Sequence, residues 1–154
     1  MCEHLTITGA HAGDIEELYA LQLLAFESEA EMIGSRDVPA LLETPEHHRE
    51  DFANWTTLKL QDGTGKIIGA IRYRWADGLI DVGRLMVHPD HRQKGLAQYM
   101  LAEVDRACPG QIRELYTCTK SWVNIRLYKK MGYTAVKEVT EDSGLSFVYM
   151  RKYD

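Results

Sequence analysis

Arg92, Lys94, Gly95 and Ala97 follow the run Leu85-Met86-Val87-His88-Pro89 and open an amphipathic stretch. The order reads as a short buried strand, a proline-bearing turn, a basic loop ending in glycine, and the start of a helix. A helix N-terminus leaves backbone N–H groups unpaired and carries partial positive charge, so it suits a phosphate. Gly95 removes a Cβ from the line of approach, Ala97 keeps the first turn slim, and Arg92 and Lys94 add whole charges. The chemistry on offer is a grip on pyrophosphate at the end of a strand.

A second segment, Ser121 to Tyr133, reads as a helix with Ser121 at its cap and Gly132 as its left-handed stop. Val123, Leu127 and Met131 make an apolar stripe, and Ser121, Asn124 and Tyr128 a polar one on another face. A phenol with a pKa of about 10 stays protonated at neutral pH, so Tyr128 can deliver a proton to a leaving group. The plainer reading makes it a core aromatic beside Leu127 and Tyr133; the polar stripe favours the chemical one.

Together the two segments resemble the GNAT superfamily of N-acetyltransferases. Arg92-x-x-Gly95-x-Ala97 fits that family's Q/R-x-x-G-x-G/A acetyl-CoA loop, and Leu127-Tyr128-x-x-x-Gly132-Tyr133 fits its C-terminal motif. The resemblance implies an α/β GNAT fold over residues 1–154 as one domain: a mixed, largely antiparallel central sheet flanked by helices. Two parallel strands, Leu79–Val87 and Glu114–Thr119, splay at one end to admit acetyl-CoA. The pantetheine arm would pair with Leu85, Met86 and Val87, with an oxyanion-holding N–H near Met86. The pyrophosphate would rest on Arg92, Gln93, Lys94, Gly95, Leu96 and Ala97. Asn124 would bond the pantetheine or phosphate arm; the commoner family position for that Asn is occupied here by Ser121. Tyr128 is the implied acid. The Glu that some members carry on the strand before the loop corresponds to Asp81, a shorter base needing a water relay. Asp81 reads equally as a polar strand-end residue. Glu29 and Glu31 are alternatives, and a low-pKa amine would need no dedicated base.

These residues need elements to position them. Leu5 to Thr8 alternates as a first strand. A helix starts at Gly13-Asp14, with Glu17 completing a capping box, and turns Ile15, Leu18, Tyr19, Gln22 and Phe26 inward. Glu27 to Thr44 lacks a clear period, and Pro45 to Asn54 is helical again. Strands are expected at Thr56–Gln61, Ile67–Trp75 and Leu79–Val87, divided by Asp62-Gly63-Thr64-Gly65 and Asp77-Gly78. The helix Gly95–Ala107 buries Leu96, Met100 and Val104, and a strand at Glu114–Cys118 follows. Thr134–Val139 and Ser146–Met150 close the chain as an antiparallel pair. Trp55, Trp75 and Trp122 read as core or cleft-wall groups, and His88 and His91 as solvated.

With 154 residues and a formal charge of −5, the chain fits a globular domain and not a general nucleic-acid binder. No apolar run is long enough to span a bilayer, so a cytoplasmic location is the default. Cys2, Cys108 and Cys118 lack C-x-x-C spacing, and His47-His48 has no obvious third ligand, so neither a disulfide framework nor a metal site is expected. Acidic residues crowd the first third, as a pole for a cationic amine or, more simply, as solvated helix faces. The expected function is acetyl-CoA-dependent N-acetyl transfer to a primary amine of a small molecule or peptide, by direct attack in a ternary complex. The alternative is a non-catalytic acyl-CoA-binding sensor or assembly domain. A homodimer is compatible with either, although no residue marks an interface.

Overall fold

Alternating apolar residues pair into seven strands in a computed structural model that describes residues 4–153; Cys2 lies outside the described residues. The strands are β1 (Thr6–Gly9), β2 (Thr56–Gln61), β3 (Ile67–Ala76), β4 (Leu79–Val87), β5 (Arg113–Cys118), β6 (Thr134–Thr140) and β7 (Ser146–Lys152). They form one sheet in the order β1-β2-β3-β4-β5-β7-β6, antiparallel throughout except for the parallel pair β4–β5. The helices are α1 (Ile15–Ile33), α2 (Pro39–Leu42), α3 (Pro45–Phe52), α4 (Leu96–Ala107) and α5 (Trp122–Lys130).

The helices cover both faces. Leu96, Met100, Leu101 and Val104 of α4 pack on Ile68, Ile71, Ile80 and Val82, and Tyr128 of α5 joins the same cluster. Leu18, Leu21 and Ala25 of α1 pack on Ile67, Ala70 and Met86 from the other side. Within α4 the buried residues fall at helical spacing, so one stripe faces the sheet. No helix among the described residues is long and apolar enough to cross a membrane.

One irregularity in β4 governs the site. Gly83 pairs with Arg72 and Met86 with Ala70, so Arg84 and Leu85 together oppose Ile71. This is a β-bulge, and Arg84 takes a left-handed φ of 47° to make it. An extra residue reverses the in–out alternation. Ile80 and Val82 face α4 before the bulge; after it Leu85 and Val87 do so, while Met86 faces α1. Arg84 is therefore freed from the α4 core that plain alternation would have put it in.

Several elements depart from the sequence reading. α1 runs on through Ile33 and stops at Gly34, whose φ is 75°. Ala30 and Ile33 continue its buried side, so the stretch after Glu27 is more regular than its polar composition shows. No capping box links Asp14 and Glu17: Asp14 accepts from the His11 N–H at 2.9 Å, and Glu17 from the Ile67 N–H at 2.9 Å. Trp75 and Trp122 are mostly exposed rather than core groups, and Val123 is exposed as well. The His88 ring is largely covered instead of solvated, at 13% side-chain exposure. Cys108 and Cys118 are free and buried.

Candidate active site

β4 and β5 pair only at Ile80–Arg113 and Asp81–Glu114. Beyond that point β5 stays bonded to β7 as far as Cys118–Phe147, and β4 stays bonded to β3 as far as Val87–Gly69. The two strands thus diverge into a V. The His88 N–H bonds the Ile68 carbonyl at 2.8 Å, so strand alternation turns the backbone of Met86 toward β3 and that of Leu85 and Val87 toward the opening.

A cleft of about 290 Å³ occupies the opening, walled by α1, α3, β3, β4, β5 and α5. It brings Asp81, Leu85, Asn124 and Tyr128 together from segments far apart in sequence. Tyr128 is the buried residue of α5, with its ring centroid 6.1 Å from that of Tyr133. Burial first, then the charge of Glu29 and the neighbouring Tyr133, pushes its phenol well above the ordinary range. Among the described residues its hydroxyl has no hydrogen-bond partner in the protein, leaving it to the cleft.

Glu29 reaches in from α1. Its Oε1 accepts from the Ser121 hydroxyl, from Asn124 Nδ2 at 3.2 Å and from Thr117 Oγ1 at 3.5 Å. Ser121 does stand at the start of α5, but its hydroxyl goes to Glu29 rather than capping the helix. Asn124 lies on the Tyr128 side as its spacing indicates, with its NH2 committed to Glu29 and Thr117 and its amide oxygen left over. Glu31 is exposed.

Asp81 sits at the closed end of the V, 3.4 Å from Arg74 Nη2. Burial raises its carboxyl above the ordinary range, and Arg74 only partly offsets this. Across the cleft Glu43 holds His47 Nδ1 at 2.6 Å. Sequence reasoning did not single out this pair, nor Arg72, Arg74 and Arg84, which line the same cavity. Arg72-x-Arg74 carried a legible signal, since residues two apart share one face of a strand. Arg84 carried none, because its direction depends on the bulge.

At the far end of β4 the loop turns through Gln93 (φ 61°) and Gly95 (φ 75°) into α4. No side chain among the described residues caps this helix, which leaves its first N–H groups available to a ligand. A Cβ on Gly95 would meet nothing within 4 Å, and the left-handed φ is what calls for glycine there. Arg92, Gln93 and Lys94 are exposed on the same loop, Arg92 Nη2 lying 3.3 Å from the Ala25 carbonyl. The loop has the form of an anion cradle facing solvent, joined to an open strand edge. An elongated ligand with a phosphate-bearing end fits that pairing. No group of His, Cys, Asp and Glu among the described residues has metal-binding geometry.

A sequence profile described as an acetyltransferase (GNAT) domain matches residues 23–153, and the chain belongs to this family. Over 133 residues it is 30% identical to the UPF0157 protein YqkA of Bacillus subtilis (strain 168), a match covering 84% of this chain and 37% of YqkA. The chain thus spans little more than a third of that relative's length. Its fold is similar to that of a candidate phosphinothricin N-acetyltransferase, with TM-score 0.79, 18% identity, and 97% of this chain and 98% of the other covered. It is also similar to yncA from Salmonella typhimurium, solved with its cofactor acetyl-CoA: TM-score 0.70, 16% identity, 97% and 94% covered. At such identities these likenesses speak for the fold alone. The seven-stranded, mostly antiparallel sheet with one parallel pair and flanking helices is the GNAT fold.

Proposed function

We propose that the protein transfers the acetyl group of acetyl-CoA to a primary amine, by direct attack within a ternary complex. The observation that carries this reading is the order of three features: an uncapped helix N-terminus following β4, an unpaired edge on β4 itself, and a buried tyrosine in the cleft beside that edge. The cradle from Arg92 to Ala97 would hold the pyrophosphate, and Leu85 and Val87 the pantetheine arm. Acetyl-CoA supplies an acyl group activated as a thioester.

In the transfer, a new N–C bond forms at the acetyl carbon and the C–S bond breaks. Backbone N–H groups of Leu85 and Val87, preset on the open edge, would stabilise the carbonyl oxygen as it gains charge. Met86 serves this less well because its own N–H faces β3. Tyr128 would give its proton to the departing sulfur, a task suited to a phenol that stays protonated. The proton lost by the amine would pass to Asp81, whose raised carboxyl is a better acceptor than an ordinary aspartate. Asn124 would offer its amide oxygen to the pantetheine arm.

Thermal unfolding with acetyl-CoA, and with ATP and NAD as controls, tests the cofactor half. Ligand at about 100 times its dissociation constant adds about 2.7 kcal/mol, a rise of several degrees for a domain of this size. A rise with acetyl-CoA alone is expected. Equal shifts with all three would reduce the cradle to a generic anion site, and no shift would remove the reading. Thiol release with an amine panel tests the transfer itself; binding without turnover would make this an acyl-CoA-binding domain.

A further inference from the structure

The wall of the cleft formed by β3 and the β4 bulge carries three arginines, Arg72, Arg74 and Arg84, among the carboxylates Asp51, Asp81 and Glu43. Arg72 and Arg74 share one face of β3, and Gly83, opposite Arg72, has no side chain to cover them. Trp55 holds both in place: their guanidinium carbons lie 4.1 and 4.0 Å from its ring centroid. Arg84 joins them because the bulge turns it away from α4.

Each arginine has one carboxylate beside it, which takes up only part of its donors: Arg74 Nη2 reaches Asp81 at 3.4 Å. Asp51 accepts from Trp55 Nε1 at 3.1 Å and Asn54 Nδ2 at 3.2 Å, and Arg72 Nη1 reaches it at 3.3 Å. Glu43 is held by Gln22 Nε2 at 2.9 Å and His47 Nδ1 at 2.6 Å. Arg84 Nη2 lies 3.8 Å from Glu43, outside hydrogen-bond reach. The Nε atoms of Arg72, Arg74 and Arg84 are all buried without a hydrogen-bond partner. Unmet buried donors of this kind are costly, and three guanidinium groups lining one cleft with donors to spare suit a further acceptor. Charge crowding is visible at Arg72, which burial and the neighbouring Arg84 pull down to about 10.

We propose that the acceptor is an α-amino acid or close analogue, whose carboxylate rests on Arg84 and the Arg72–Arg74 pair while its amine faces the thioester. This rests on the acetyl-transfer reading above. The close spacing of amine and carboxylate follows from position: Arg84 immediately precedes Leu85, whose backbone borders the reacting carbonyl.

Thiol release from acetyl-CoA is to be measured with the common L-amino acids, their α-amides and the corresponding decarboxylated amines. At least one amino acid should exceed its amide by about tenfold or more in kcat/KM, the scale of a lost charged hydrogen bond. Arg84→Gln should erase that preference by raising KM for the amino acid, with KM for acetyl-CoA unchanged. Arg84→Gly should do the same; glycine accepts the left-handed φ, so the bulge is kept. Amides or decarboxylated amines used as well as amino acids would overturn the inference, as would Arg84 variants that depress both alike. Amino acids left unreacted by a protein that acetyl-CoA still stabilises would overturn it while sparing the cofactor reading. Absence of any acetyl-CoA effect would remove both.

Discussion

Asn124 on α5 donates its side-chain amide to Glu29 on α1 across 3.2 Å, tying the helix that carries Tyr128 to the opposite wall of the cleft. The same carboxylate oxygen takes up Ser121, which is wholly buried, and Thr117. Glu29→Ala should therefore cost about 1–3 kcal/mol, since a buried hydroxyl loses its charged partner. Glu29→Gln keeps an acceptor oxygen and should cost less. Denaturant unfolding of both variants checks this, and an unchanged midpoint for the alanine variant would refute the role.

Tyr128→Phe removes one oxygen from a residue that is otherwise packed. Turnover should fall by about a hundredfold or more, the usual scale for losing a positioned general acid. KM for acetyl-CoA and the melting temperature should hardly move. Equal turnover in the variant would take Tyr128 out of the mechanism.

Asp14 gives the fold a pH dependence on its acid side. Its Oδ2 lies 2.9 Å from Lys59 Nζ, both side chains being about nine-tenths covered. Burial works to raise the carboxyl, but the His11 backbone N–H and Lys59 outweigh it and hold the group below its ordinary 3.8. A depressed carboxyl stabilises the folded chain above its unfolded pKa, and that share is lost as pH falls through the folded value. The stability gap between wild type and Asp14→Asn should thus be constant near neutrality and shrink below about pH 3.8. A gap that stayed level down to full protonation would show that the pair contributes through packing instead.

Asp105 faces two cations. Arg113 Nε, on a side chain 1% exposed, lies 2.9 Å from its Oδ1, and Lys152 Nζ lies 2.7 Å from its Oδ2. Asp105→Ala takes a carboxylate away from the buried charge of Arg113, at a cost of about 3–5 kcal/mol. Urea denaturation measures it; a loss within experimental error would mean that Arg113 finds another acceptor.

The parts of the fold that were legible follow from local rules. β4 was placed residue for residue, because a turn precedes it and a proline ends it. The loop and helix start after β4 were readable because glycine, basic residues and the following apolar stripe are adjacent in sequence. The C-terminal half of α1 was not, since Glu27, Ser28, Glu29 and Glu31 interrupt the apolar period exactly where the helix borders the cleft. Spacing also found the stripe of Val123, Leu127 and Met131 without showing which face of α5 is covered; Tyr128 proved to be the buried residue. Arg84 lay beyond any periodic rule, because one left-handed residue reversed the pattern around it.

The two-rung contact between β4 and β5 also matters to the chain as a covalent object. On one side lie β1 to β4 and on the other β5, β7 and β6, each set complete in its own pairing. Sequence order respects the same division, since the loop after β4, α4 and the exposed Pro109-Gly110 turn separate β4 from β5 with no strand between them. Cutting the backbone at that turn would give two polypeptides whose partition follows the grain of the sheet. The cleft draws its lining from both parts, so it is whole only where the two meet.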